Sequence, residues 1–186
     1  MPARGTPAAL SLGPGYLYLA PIGTTEPVDV ATSIATVSAA WNLMGYTDVG
    51  SEFHYQINTA QVQVAEVLDP LSYQPDSRVG TVQFALAQMT ITNLKAAFNG
   101  GVVTTGSGVT IYEPPDLGSE VRAMLLFESE DHTERWIYRQ CFQGGDVAMV
   151  RGRGAAKVTM PVVFNLELPA TGLRPWRAIL ATPQRA

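Results

Sequence analysis

The chain has 186 residues, a net charge of −4 and a pI near 5.1, with 15% charged residues against 46% hydrophobic ones. That length supports a single core, and sparse charge at ordinary hydropathy excludes a disordered chain and suits a surface covered by further copies of itself. Scattered basic residues with no basic stripe exclude a nucleic-acid binder, the single cysteine excludes an intrachain disulfide, and no apolar run approaches the ~18 residues of a membrane span.

In chain order, residues 1–14 read as a flexible arm, because Pro2, Pro7, Gly13 and Pro14 block regular structure. With no apolar h-region the arm is not a signal peptide, and the expectation is a chain made in the cytoplasm and kept soluble. One domain is expected over 15–180, followed by a fraying tail at 181–186. A first strand covers about Tyr16 to Ala20. Residues 21–40 hold Pro27 and several Thr and Ser without a period, which reads as a long surface loop reaching toward a neighbour.

From Trp41 onward the periodicity changes in a fixed order. A turn at Asp48-Val49-Gly50 precedes two alternating runs, Phe53 to Ile57 and Ala60 to Val64. A loop over 68–78 follows, rich in Pro and Asp. The run Val82 to Leu86 then leads to a helix at about 90–98, with Ile91, Leu94 and Phe98 as its buried stripe and Asn99-Gly100-Gly101 as its stop. Beyond it, Gly106-Ser107-Gly108 turns into a short strand, Val109 to Tyr112. Strands from Val121 to Phe127 and from Trp136 to Phe142 form a hairpin across Glu130-Asp131-His132-Thr133, with Trp136, Tyr138 and Phe142 on one face and Cys141 alternating with Ile137 and Arg139. Gly144-Gly145 turns into Asp146 to Val150. The longest strand is expected at Lys157 to Leu168, with Pro161 marking an edge or bulge, and Pro175 to Leu180 adds a last one. Many short strands and one short helix predict an all-β sandwich or barrel with a flanking helix.

The residues that could carry chemistry each have a plainer role. His54 lies in an alternating strand and reads as a surface imidazole. His132, amid Glu130, Asp131 and Glu134, lacks the spaced ligands and glycine of a calcium loop and reads as a hairpin tip. Gly152-Arg153-Gly154-Ala155-Ala156-Lys157 lacks the ending and the helix a phosphate loop needs. Cys141 reads as a packed thiol, Glu66 and Asp69 as a loop shoulder, and no Gly-x-Ser-x-Gly elbow exists. The expectation is no enzyme, no metal and no cofactor.

The segment from about 15 to 101 resembles the major tail tube protein of long-tailed bacteriophages, particularly those of actinobacterial hosts. The likeness rests on Tyr16-Leu17-Tyr18-Leu19-Ala20-Pro21, then Trp41-Asn42-Leu43-Met44-Gly45-Tyr46-Thr47. Glu66, Asp69-Pro70, Arg78, Val82 to Leu86, Asn93-Leu94 and Gly100-Gly101 follow in the family's order. Met44 stands where the family has Leu, and Gly50-Ser51 lacks an acidic residue. The resemblance implies a structural virion protein in hexameric rings stacked as a hollow tube, with double-stranded DNA passing through without specific binding. It also implies partners: further copies, a tape-measure protein, and terminator and distal-tail proteins. If alternating strands line the channel, Gln61, Gln63, Thr81, Gln83, Asn165 and Glu167 face the lumen, and Val62, Val64, Val82, Phe84 and Leu86 are core. Leu68, Asp69, Pro70, Leu71 and Tyr73 carry more apolar surface than a solvent loop needs and are expected to contact a neighbouring subunit. The competing readings are a β-sandwich binding a ligand or carbohydrate through Trp41, Trp136 or Trp176, and a secretion-type tube.

Overall fold

A computed structural model describes residues 14–66, 68–149, 151, 157–170 and 172–181. The expected arm, apart from Pro14, most of the glycine turn after Arg151, and the tail after Ala181 lie outside the described residues.

The architecture is all-β with two short helices, a sandwich-like wrap of one open sheet. Strands β1 (Gly15–Pro21), β2 (Asn42–Leu43), β7 (Ala123–Ser129), β8 (Glu134–Gln143) and β10 (Trp176–Leu180) form an outer layer. Strands β3 (Thr47–Val62), β4 (Ser72–Leu86) and β9 (Met160–Leu166) form an inner layer. The layers are joined through β8, whose first half pairs with β10 and whose last residues pair with β9 along the same edge.

Between the layers lies the main core, in which Leu17, Leu125, Tyr138 and Cys141 meet Val82, Phe84, Leu86, Met160, Val162 and Phe164. Strict alternation in β4 and β9 puts these residues inward, as expected for Val82, Phe84 and Leu86. Val62 and Val64 are corrected: both are exposed, because the pair β3–β4 continues past the end of the core. A second cluster, Ala20, Ile34, Trp41, Met124, Leu126 and Ile137, covers the other side of the outer layer.

That second cluster overturns the expectation that 21–40 reaches a neighbour. The segment includes helix α1 (Ile34–Val37), capped by Ser33, and folds onto its own domain. Trp41 donates from Nε1 to the Thr25 carbonyl at 3.0 Å. Glu26 accepts two bonds from Arg139 at 2.5 and 2.8 Å, and Arg135 donates to the Asp29 carbonyl at 2.7 Å.

Four further expectations change. The run 53–57 and residues 60–62 of the second run are parts of one strand, which ends at Val62, and residues 72–78 of the expected loop are its partner, because the bulge near Thr59 and Pro75 lets pairing continue past the proline. Helix α2 (Ile91–Ala97), capped by Thr90, buries Asn93, Ala96 and Ala97, while Leu94 and Phe98 are partly buried beside the core. An extra residue in β8 between Tyr138 and Cys141 puts Cys141 on the Tyr138 side, so Phe142 leaves the aromatic face and lies under Arg122, 4.6 Å from its ring centroid. Residues 146–149 are not strand, and β9 is shorter than the Lys157–Leu168 run.

The Met44-Gly45 segment and the helix lock together. Asn93, fully buried, donates from Nδ2 to the carbonyls of Met44 at 2.9 Å and Gln88 at 2.8 Å. Gly45 has φ +81°, in the left-handed region that favours glycine, and a Cβ there would also displace the Gln88 side-chain oxygen, 2.0 Å away.

Candidate assembly interface

Three surfaces stand out, and the first is the β3–β4 hairpin. In its half nearest the core, Phe53 packs on Tyr138, Trp136 and Trp176 with ring centroids 5.1 to 5.8 Å apart, and Tyr55 meets Trp176 edge-on at 5.7 Å. Beyond Gly80, every residue of β4 toward its start is exposed. The far half still carries Ile57, Leu71, Tyr73 and Val79, all about half exposed or more, and Leu68 is fully exposed. Of the residues expected at a subunit contact, Leu68, Asp69, Pro70 and Leu71 lie in the connection at the end of the hairpin and Tyr73 opens β4. The Leu71 amide closes this tip on the Val62 carbonyl at 2.9 Å. β3 is an edge strand whose outer side has no partner among the described residues.

The second surface is the polar side of the inner layer. Register pairs Glu52 with Gln83, His54 with Thr81, and Thr81 with Asn165. Gln83 donates to Glu52 at 2.7 Å and lies 3.3 Å from His54, which is itself 3.0 Å from Glu52. Gln56, Asn58 and Ser77 extend the chain of hydrogen bonds toward the tip. Thr81, Gln83 and Asn165 therefore share one face. Gln61 does not, because alternation along β3 and the bulge opposite it put Gln61 and Tyr73 on the side of Phe53 and Tyr55. Gln61 donates to the Tyr73 hydroxyl at 3.4 Å, and Gln63, past the strand end, donates to Gln61 at 3.0 Å. Glu167 is tied to the outer layer, accepting from Gln140 at 2.8 Å and Arg122 at 3.2 Å. The Gln140 hydrogen bond first, and then Arg122, hold its carboxyl below the usual range.

The third surface was not expected. β5 (Val102–Gly106) and β6 (Val109–Glu113) form a separate two-stranded sheet. Gly106 pairs with Val109, leaving Ser107 and Gly108 as a two-residue turn with φ of 51° and 77°, the geometry that matches strand twist. One side holds Val103 and Tyr112; the latter donates to the Gly100 carbonyl at 2.8 Å and packs on Phe98. The other side holds Val102, Val109 and Ile111, each more than half exposed. Alternation of Val102, Thr104 and Val109, Ile111 around Ser107-Gly108 was the available sequence signal.

Chemistry finds little purchase. Burial pushes the Cys141 thiol well above its ordinary range, which suppresses the thiolate. His132 lies 3.3 Å from Glu128, but that carboxylate is buried and held by Arg135 through Nε at 2.8 Å and through Nη2. Tyr18 donates to Glu128 at 3.3 Å and is pushed up to about 12, mainly by burial and then by the Glu128 charge. Asp131 accepts from the Thr133 amide and hydroxyl, which makes the hairpin tip a local turn. Among the described residues no three His, Cys, Asp or Glu gather as metal ligands, and no helix is long and apolar enough to cross a membrane.

The fold is thus an all-β wrap with an overhanging apolar hairpin and an uncovered polar sheet face. The sequence from 6 to 174 matches the family model described as phage tail tube protein, and the chain belongs to that family. It is thus a structural component of a virion tail. No curated protein is significantly similar to it.

Proposed function

We propose that the chain assembles head-to-tail into closed rings, hexameric as the family resemblance implies, which stack into a hollow tail tube that conducts double-stranded DNA. The observation carrying this reading is the β3–β4 hairpin, which overhangs its own core with exposed Ile57, Leu68, Leu71 and Tyr73 and whose β3 is an edge strand with its outer side unpaired among the described residues. An edge of this kind is normally blunted in a monomer and is a ready template for pairing with another chain. Burying two of these side chains against a neighbour contributes on the order of 3 to 6 kcal/mol before ordering costs. Tip residues Leu68, Asp69, Pro70, Leu71 and Tyr73 make that contact.

Thr81, Gln83 and Asn165, with Glu52 and His54, face the lumen. That patch carries a carboxylate and no Lys or Arg. A polyanion slides past such a face, whereas a basic one would retain it by counterion release. Gln61, Gln63 and Glu167 take other positions in this arrangement, at the tip and at the seam between layers. Tape-measure, terminator and distal-tail proteins are the further partners, inside the tube and at its ends.

Size-exclusion chromatography with negative-stain microscopy of the purified chain tests the proposal. Rings or open-ended tubes are expected, because a heterologous contact either closes or propagates. A chain that stays monomeric at high concentration with a tail-tip nucleus present refutes it.

A further inference from the structure

We infer that the outward face of β5–β6, with the groove beside it, receives the β3–β4 tip of a second copy, an inference that rests on the ring-and-tube reading above. A two-stranded sheet is marginal in water unless a face is covered. Here one face is held by Tyr112 against the domain, while the other presents Val102, Val109 and Ile111 to solvent. Beside it lies an open groove of about 860 Å³ with mostly apolar walls, including Val102, Pro115, Val121 and Ala96. This is within the roughly 300–1,000 Å³ of built binding sites.

The occupant follows from reach and charge. Phe164 lines the groove and pairs with Val82 of β4. Ser72, at the tip, lies ten positions from Val82 along β4, so about 30 Å of stiff strand separates the tip from its own groove. The tip therefore reaches only another copy. It carries Glu66, Asp69 and Asp76, all exposed. The groove rim carries Lys95 and Arg122 against Asp116. Arg122 is paired with Glu167, and Lys95 is exposed with no ion-pair partner among the described residues. On the receiving surface Lys95 is the one unpaired cation among the described residues, set beside Asp116 and beside Glu113 on the outward face of β6, so the match to an acidic tip is local to Lys95. The apolar tip and the apolar groove are two different surfaces, as a head-to-tail contact requires.

Crosslinking within assembled tubes tests this. Ser72→Cys and Thr104→Cys place thiols at the tip and on the outward face of β5, both at exposed positions that leave the apolar residues in place. The native Cys141 is buried and silent. With a short bis-maleimide, tubes of the double variant are expected to give a ladder of covalent oligomers, and co-assembled single variants a dimer rung. Each single variant alone is expected to stay monomeric on a denaturing gel. Tubes that form without the ladder, or Ser72→Cys copies that link to one another, overturn the inference while leaving the assembly reading intact. Failure of the unmodified chain to form rings or tubes overturns the assembly reading and this inference with it.

Discussion

The connection 22–41 and the connection 63–71 have similar ingredients, and their surroundings differ completely. The first places Ile34 and Trp41 in a core of its own and ties its backbone to Arg135 and the Glu26 carboxylate to Arg139. The second leaves Leu68 and Leu71 exposed at the end of a hairpin, covered by none of the described residues. Apolar side chains in a loop thus say that something will be covered, not by whom. Anchoring groups decide that: the covered loop meets the buried Arg135 and half-buried Arg139 guanidinium groups of β8, whereas the tip is held by bonds within itself, Gln61–Tyr73, Gln63–Gln61 and the Leu71 amide to the Val62 carbonyl.

The contrast can be broken at its strongest point. Replacing Leu68, Leu71 and Tyr73 together by Ser is expected to abolish tubes in negative stain while moving the unfolding free energy by less than about 0.5 kcal/mol, since these side chains touch no core. Tubes of normal length would place assembly on other surfaces. The opposite result is expected where the first connection is anchored. Arg135→Ala removes the buried cation that holds the buried Glu128, leaving that carboxylate to Tyr18 and His132, and should cost about 3–5 kcal/mol in denaturant unfolding. A smaller loss would mean that water replaces the guanidinium.

Asn93→Ala comes next, at roughly 2–4 kcal/mol, because it strands the Met44 and Gln88 carbonyls. This residue also explains why part of the fold was legible. Met44-Gly45 and Asn93-Leu94, far apart in sequence, meet in space. Strict alternation in β4 and β9 was legible for the same kind of reason, one face being buried throughout. Residues 72–78 were not, since Pro75 and Asp76 have turn chemistry that only the bulge accommodates. Gln61 and Gln83 were read as sharing a face because a single unpaired residue reverses the alternation without any mark in composition. The β8 bulge hid the position of Phe142 in the same way.

Acid should act weakly and in one direction, at the first connection and elsewhere on the domain. Asp29, held low chiefly by Thr32, Asp131, held low by Ser129 and Thr133, and Glu167 all titrate below ordinary carboxylates. A depressed folded-state pKa contributes stability that is complete above the unfolded value near 4 and is lost as pH falls through the folded values. Thermal midpoints should therefore be level between about pH 5 and 7 and drop below about 4; a midpoint that rises on acidification contradicts the assignment. The smallest change in stability is expected from Gln83→Arg, under about 0.5 kcal/mol. Its effect should appear in slowed DNA release, and unchanged release would move the lumen to another face.

The layers meet where β8 pairs with β9, and that ladder is Cys141–Leu166, Phe142–Asn165 and Gln143–Phe164. Regarded as a mechanical part, this short seam is where tension on the hairpin passes into the outer layer. A pull on the tip loads β3, β4 and β9 along their long shared ladders, then crosses these few bonds. The domain should yield there first under axial strain, letting the inner layer slide while the outer layer, pinned by Arg135 and Arg139, keeps its shape.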